Sequence, residues 1–91
     1  MNEQEHIRRA EQARMILESP LWVEAWEFLR ERCISNIEGA SAADVEAIML
    51  EKRLMLVAND LRGYFERLIT DGKISTETVK LAERRKKWFT T

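Results

Sequence analysis

Apolar residues recur at alternating intervals of three and four positions through the middle of the sequence. The run comprises Ala47, Leu50, Leu54, Val57, Leu61, Tyr64 and Leu68. Sustained over about three heptads, this spacing is typical of a helix whose narrow apolar stripe packs lengthwise against another helix. The stripe, called the seam below, therefore predicts helix packing rather than a chemical reaction.

The helix that carries the seam is predicted to start after a turn at residues 37–41. Ser41, followed three positions later by Asp44, resembles a capping box, in which side chains accept hydrogen bonds from the first free backbone N–H groups. Asp71-Gly72 should end this helix, because glycine readily adopts the left-handed conformation found after many helices.

The N-terminal part of the chain is predicted to form a long first helix that is bent at Pro20. Asn2 can cap its start. Ser19 is a suitable N-cap and proline suits a first turn, so a new helix could begin here; alternatively, Pro20 only kinks one continuous helix. A kink or tight corner is preferred to a loop, because no other turn residue accompanies the proline. Gly39 is the candidate C-cap.

Apolar residues on the first helix widen to two neighbouring stripes from Leu21 onward, which is more surface than one partner helix covers. Two long helices joined by a short turn lie antiparallel, and such a pair is one layer thick and cannot enclose a core. We therefore expect an all-α single domain over residues 1–91, a long antiparallel hairpin that self-associates into a bundle. Its packing and oligomer interface is predicted at Trp22, Trp26, Leu29, Leu50, Leu54, Val57, Leu61, Tyr64 and Leu68.

Charge separates the two ends of the chain, although the net charge is only −1. Residues 1–72 hold 9 Lys/Arg and 14 Asp/Glu, a balance of −5, whereas residues 73–91 hold 6 and 2, a balance of +4. Past the expected glycine turn, Ser75 or Thr76 can cap a short basic third helix through about Trp88. The residues predicted to contact a partner are Lys80, Arg84, Arg85, Lys86, Lys87 and Trp88.

The basic segment has more than one interpretation. Its cations can attract an acidic protein surface, the phosphates of nucleic acid or anionic lipids, or they can simply solubilise a helix C-terminus. The tryptophan beside them is unusual for a purely solubilising tail.

No group of residues in the sequence has the composition of a catalytic or metal site. Cys33 lies on an apolar stripe with no histidine paired to it, so it is interpreted as a buried small hydrophobe. His6, the only histidine, is expected to be exposed. Glutamates that share one helix face with arginines nearby favour a solvated face over a carboxylate metal site: Glu24, Glu27, Glu31 and Glu38. We expect no enzyme activity, metal or cofactor.

One enzyme class of similar size has to be considered. All-helical chorismate mutases are similarly short and build their site between helices of a dimer, and Lys52, Arg53, Arg62 and Arg67 could in principle bind a dicarboxylate. The chain lacks that family's arginine- and lysine-bearing motifs, and the seam occupies the face that they would need. A small-molecule substrate is therefore not expected.

Neither secretion nor a membrane anchor is expected. The opening MNEQEHIRR lacks the apolar core of a signal peptide, and no stretch approaches the ~18 apolar residues of a membrane span. A single cysteine excludes an internal disulfide and suits a reducing compartment.

Two blocks of the sequence, together with the turn Asp71-Gly72-Lys73, carry a resemblance: ARMILESPLWVEAWEFLRER at residues 13–32 and LMLVANDLRGYFERLITDGKI at residues 54–74. The stretch from Ala13 to Leu81 resembles small helical proteins encoded among the particle genes of tailed bacteriophages, whereas the tail from Arg84 onward departs from them. That group offers no catalytic motif, so the resemblance implies a structural or assembly role, in the host bacterial cytoplasm or associated with the virion. The alternatives are a DNA-binding packaging component similar to a small terminase subunit, and an inhibitor of a host bacterial protein.

Overall fold

The computed structural model describes residues 2–89, with side chains for residues 2–88, and this part of the chain contains three α-helices. α1 spans Glu3–Glu18, α2 spans Pro20–Gly39 and α3 spans Val45–Phe89. No β-strand occurs among these residues. The prediction of an all-α fold is confirmed.

Side-chain caps fix where α1 and α3 begin. The Oδ1 of Asn2 accepts a hydrogen bond from the backbone N–H of Glu5 at 2.8 Å, as the sequence predicted. At α3 the cap is Asp44, whose Oδ1 accepts from the N–H of Ala47 at 3.2 Å. Ser41, predicted as this cap, instead lies in the preceding turn, where its carbonyl accepts from the N–H of Asp44 at 2.8 Å.

A single extended residue separates α1 from α2. Ser19 has φ −60° and ψ 128° and holds the N-cap position of α2, although its side chain makes no cap hydrogen bond. Pro20 occupies the first turn, where the N–H that proline lacks would have no helical partner. The chain therefore forms two separate helices here, and the prediction of one long first helix kinked at Pro20 is wrong. Gly39 does not cap α2: the C-cap is Ala40, and no glycine in the described residues has positive φ.

The predicted end of the second helix at Asp71-Gly72 is wrong, because α3 continues through it to Phe89. The short basic third helix is therefore the last part of α3, and the expected boundary between residues 1–72 and 73–91 lies inside a helix. Thr76, predicted as a possible cap, instead donates its hydroxyl to the carbonyl of Gly72 at 2.9 Å, one helical turn back.

The two ends of the chain form one compact unit, made of residues 2–16 and 64–89 of the described chain. Gly72 is the point of closest approach: a Cβ atom added there would overlap the Cβ of Ala10 and lie 3.0 Å from the carbonyl oxygen of His6. His6 is half-buried, so the prediction that it is exposed is wrong. Its Nδ1 lies 3.1 Å from the Oγ of Ser75, and Ser75 is itself buried. We call this part unit 1.

Residues 17–63 form the other compact unit, unit 2, in which α2 lies along the first part of α3. The amide of Asn36 donates to the carboxylate of Glu51 at 3.0 Å, and the guanidinium of Arg62 lies 5.3 Å from the ring centre of Trp26. Later residues of α2 thus contact earlier residues of α3, so the two segments run antiparallel. Four of the buried or half-buried residues of α3 in this unit define its inner stripe: Ile48, Glu51, Met55 and Ala58.

Candidate functional site

In unit 2 the seam does not face α2. Ala47 at its start is half-buried, and the next four seam residues are exposed, with Leu50 at 56%, Leu54 at 47%, Val57 at 66% and Leu61 at 53%. The residue that follows each of them lies on the inner stripe, except after Leu61. Leu61 is followed by Arg62, which lies over the ring of Trp26 on α2 and so continues the contact with that helix. Because one residue turns an α-helix by about 100°, the seam forms a second stripe beside the inner one.

On α2 the predicted tryptophans belong to the contact within unit 2. Trp22 and Trp26 are half-buried and stacked, with ring centres 6.1 Å apart, and Arg62 lies over Trp26. Leu29 lies on the same stripe and is exposed at its edge. The sequence placed Leu21 and Phe28 on the widened apolar face of the first helix but left them out of the predicted interface, and they are the most exposed large apolar side chains of α2. Their spacing of seven residues was the available signal.

Leu21 and Phe28 lie on the same side of unit 2 as the seam. Leu21 directly precedes the half-buried Trp22, and Phe28 directly precedes Leu29 on the same stripe, just as the seam residues precede the inner stripe of α3. In two antiparallel right-handed helices, the same one-residue offset from the contact leads to the same side of the pair. Unit 2 therefore carries one apolar face, defined here as Leu21, Phe28, Leu50, Leu54, Val57 and Leu61.

The last two seam residues belong to unit 1. Tyr64 is exposed, and its hydroxyl accepts a hydrogen bond from Arg9 at 3.0 Å. The same one-residue offset from the inner residues occurs in this pair. Arg9 directly precedes the buried Ala10, and Tyr64 directly precedes the half-buried Phe65. Leu68 is half-buried. The four consecutive exposed aliphatic residues of the seam thus lie in unit 2.

The basic end of α3 presents cations and apolar side chains together. All its predicted contact residues are exposed, as binding to a partner requires: Lys80, Arg84, Arg85, Lys86, Lys87 and Trp88. Leu81 and Trp88 share one helix stripe seven residues apart, with Arg84 and Arg85 beside them in a shallow groove. Trp88 is 85% exposed. The side chain of Phe89 lies outside the described residues.

The cysteine and the α2 glutamates singled out in the sequence differ in their exposure. Cys33 is buried, as predicted. Burial raises the pKa of its thiol above the ordinary 9.0, as do the hydrogen bond and negative charge of Glu51, with Arg32 acting in the opposite direction. A raised thiol pKa disfavours the nucleophilic thiolate. The four glutamates of the predicted solvated face are all exposed: Glu24, Glu27, Glu31 and Glu38.

Neither a metal-binding cluster nor a membrane-spanning helix occurs in residues 2–89. No three His, Cys, Asp or Glu side chains in this part of the chain are grouped so that they could hold a metal ion. None of its helices combines the length and apolarity needed to cross a bilayer. Comparisons with protein-family models, curated proteins and solved structures gave no match to this chain. The surfaces described above are therefore the basis for assigning a function.

Proposed function

We propose that this chain is a small non-enzymatic assembly protein. In this proposal it is a helical hairpin that self-associates through the apolar face of unit 2 and docks on an acidic partner through the basic end of α3. The observation that carries the proposal is the exposure of Leu50, Leu54, Val57 and Leu61, the residues with the most regular packing spacing in the sequence. Contiguous exposed apolar surface marks interaction sites in proteins.

The small interior of the chain supports self-association. The buried apolar residues among those described are Ala10, Ala13, Cys33 and Ala58, and no large side chain is fully buried. Full burial of a large apolar side chain contributes about 1.5–3 kcal/mol. Helices of a second copy that pack on the exposed apolar face of unit 2 would bury large apolar side chains and so stabilise the fold.

The composition of the basic end favours an acidic protein over duplex DNA. Exposed Leu81 and Trp88 add apolar surface beside the cations, whereas binding to a duplex backbone is dominated by its charged phosphates. The −5 balance of residues 1–72 opposes a duplex lying along the chain, although this repulsion is screened beyond about 8 Å at physiological salt. The phage resemblance does not extend to the residues from Arg84 onward, so the choice of an acidic particle protein as the partner rests on charge and on these apolar side chains.

Neutralising the basic end separates protein docking from nucleic-acid binding. The test variant replaces Arg84, Arg85, Lys86 and Lys87 by Gln, and the control variant replaces the exposed Arg8, Arg30, Arg32 and Lys52 by Gln. The probes, followed by fluorescence anisotropy, are an acidic amphipathic helical peptide and a short DNA duplex. We expect the test variant, but not the control, to lose peptide binding, and we expect weak duplex binding at physiological salt.

Submicromolar, salt-dependent binding of the intact chain to the duplex would instead favour a DNA-packaging role. The slope of log K against log salt would then flatten by about 0.9 for each phosphate that the test variant no longer neutralises. The genes beside this one test the phage assignment directly: portal, capsid or terminase neighbours support it, and neighbours from an unrelated module overturn it.

Light scattering at micromolar concentration tests self-association. We expect a mass of at least twice 10.7 kDa. Replacing Leu54 and Leu61 by Glu should give a folded monomer, because both side chains are exposed within a single chain. Leu56→Glu is the matched control, since Leu56 is exposed but lies off the seam, and it should leave the mass unchanged. A monomeric unmodified chain would overturn this part of the proposal.

A further inference from the structure

We infer that the apolar face of unit 2 binds a second copy of this chain in one orientation and one register. The two α3 helices lie antiparallel about a twofold axis, with Leu54 opposite the partner's Val57 and Leu50 opposite the partner's Leu61. This inference rests on the self-association proposed above and adds its geometry.

The exposed spacing requires a helix as the occupant. Leu50, Leu54, Val57 and Leu61 follow one another at intervals of four, three and four on a continuous helix, so their side chains fit lengthwise into the surface of another helix. In heptad terms Leu54 and Leu61 hold position a, and Leu50 and Val57 hold position d. Antiparallel helices pair a with d, and the twofold axis then gives four core layers from these four residues.

Charge complementarity identifies a second copy as that occupant. Glu46, Arg53 and Asp60 are exposed and follow one another every seven residues, with alternating sign. They hold heptad position g, on the side of the seam that faces away from α2. Position g of one antiparallel helix lies beside position g of the other. In the proposed register Arg53 lies beside the partner's Asp60, and Asp60 beside the partner's Arg53.

The same charges disfavour the neighbouring registers. Shifting the partner helix by one heptad in one direction along the seam brings Asp60 beside the partner's Asp60. Shifting it by one heptad in the other direction brings Arg53 beside the partner's Arg53 and Glu46 beside the partner's Asp60. Like charges brought together in this way discriminate against wrong pairings. Of these three registers, only the proposed one pairs opposite charges.

Parallel pairing is disfavoured by the position of α2. In a parallel pair, position g interacts with position e of the other helix. The e positions here are Glu51 and Ala58, which belong to the inner stripe and lie against α2 within unit 2. Arg53 and Asp60 would then have no accessible partner. Because Leu21 and Phe28 lie on the same side as the seam, the antiparallel arrangement also turns them toward the second copy, giving a four-helix bundle.

Cysteine pairing tests orientation and register. Leu50→Cys and Leu61→Cys are made as separate variants, with an affinity tag on one to distinguish them by mass. The unmodified chain, whose only thiol is the buried Cys33, is the control. After co-refolding and mild oxidation, we expect disulfide-linked dimers containing one copy of each variant. Each variant alone should give few disulfide-linked dimers, since the new thiols of its two copies would lie about 16 Å apart along the helix axis.

The outcomes distinguish this inference from the proposed function. A dimer whose single variants each cross-link efficiently to themselves is parallel and overturns the inference while self-association survives. A dimer with no cross-link from the mixture overturns the register. A monomeric unmodified chain overturns self-association itself, and binding by the basic end is then judged by its own assay.

Charge reversal provides a second test that leaves the apolar core unchanged. Arg53→Asp gives a chain with only acidic residues at the two pairing positions, and Asp60→Arg gives one with only basic residues. Each alone should weaken dimerisation by roughly tenfold, as expected for a few exposed ion pairs. An equimolar mixture should recover the original affinity, and Arg30→Asp on α2 should have no effect. A mixture as weak as either variant alone would overturn the inference.

Discussion

Replacing Gly72 by alanine isolates the energy of the closest contact between α1 and α3 within unit 1. Gly72 lies inside a helix, where alanine is intrinsically favoured by about 1 kcal/mol. The new Cβ would, however, overlap the Cβ of Ala10 and lie 3.0 Å from the carbonyl oxygen of His6. Neither atom is the end of a flexible side chain, so the helices would have to move apart.

Gly63→Ala is the matched control for this substitution. Gly63 lies in the same helix, and a Cβ added there meets nothing within 4 Å. Both substitutions share the gain in helix propensity, so the difference between them measures the packing cost. Overpacking of this kind typically costs about 1–3 kcal/mol. We therefore expect Gly63→Ala to stabilise the fold by up to about 1 kcal/mol, and Gly72→Ala to be less stable than Gly63→Ala by about 1–3 kcal/mol.

Thermal denaturation followed by circular dichroism at one protein concentration measures this difference. For a chain of this size each kcal/mol shifts Tm by about 4–8 °C. A third variant, Ala10→Gly with Gly72→Ala, removes the overlapping Cβ and should recover stability relative to Gly72→Ala. Equal Tm values for Gly72→Ala and Gly63→Ala would refute the close approach of α1 to α3 at Gly72.

Three smaller predictions concern single contacts. Asp44→Ala should lower the free energy of unfolding by about 1 kcal/mol, and Ser41→Ala by less, because only Asp44 caps the first turn of α3; denaturant titration compares them. Because burial raises the pKa of the Cys33 thiol, the folded state favours the protonated thiol. The free energy of unfolding should therefore not depend on this group below pH 9.0 and should fall as the pH rises above it. Cys33→Ala should lack this component of the pH dependence, and identical profiles would contradict it. Removing the His6 imidazole with His6→Ala should cost about 1 kcal/mol in thermal melts, with part recovered by adding Ser75→Ala.

The sequence by itself determined the local features of this protein. The helical spacing of the apolar residues was enough to predict an all-α chain, and the side chain of Asn2 was enough to predict the first cap. The apolar position of Cys33 was enough to predict its burial. These features depend on residues within one or two helical turns, so the periodicity of the chain already contains them.

Tertiary contacts decided which of two neighbouring stripes of α3 faces α2. They also decided that α3 continues past Gly72. Met55 and Ala58 follow the same three-four spacing as Leu54 and Val57, and sequence periodicity does not say which stripe meets α2. Asp71-Gly72 has the composition of a helix end, yet Gly72 serves instead to let α1 approach closely at Ala10. Both outcomes depend on contacts between residues far apart in the chain, and local propensity is too weak to override them.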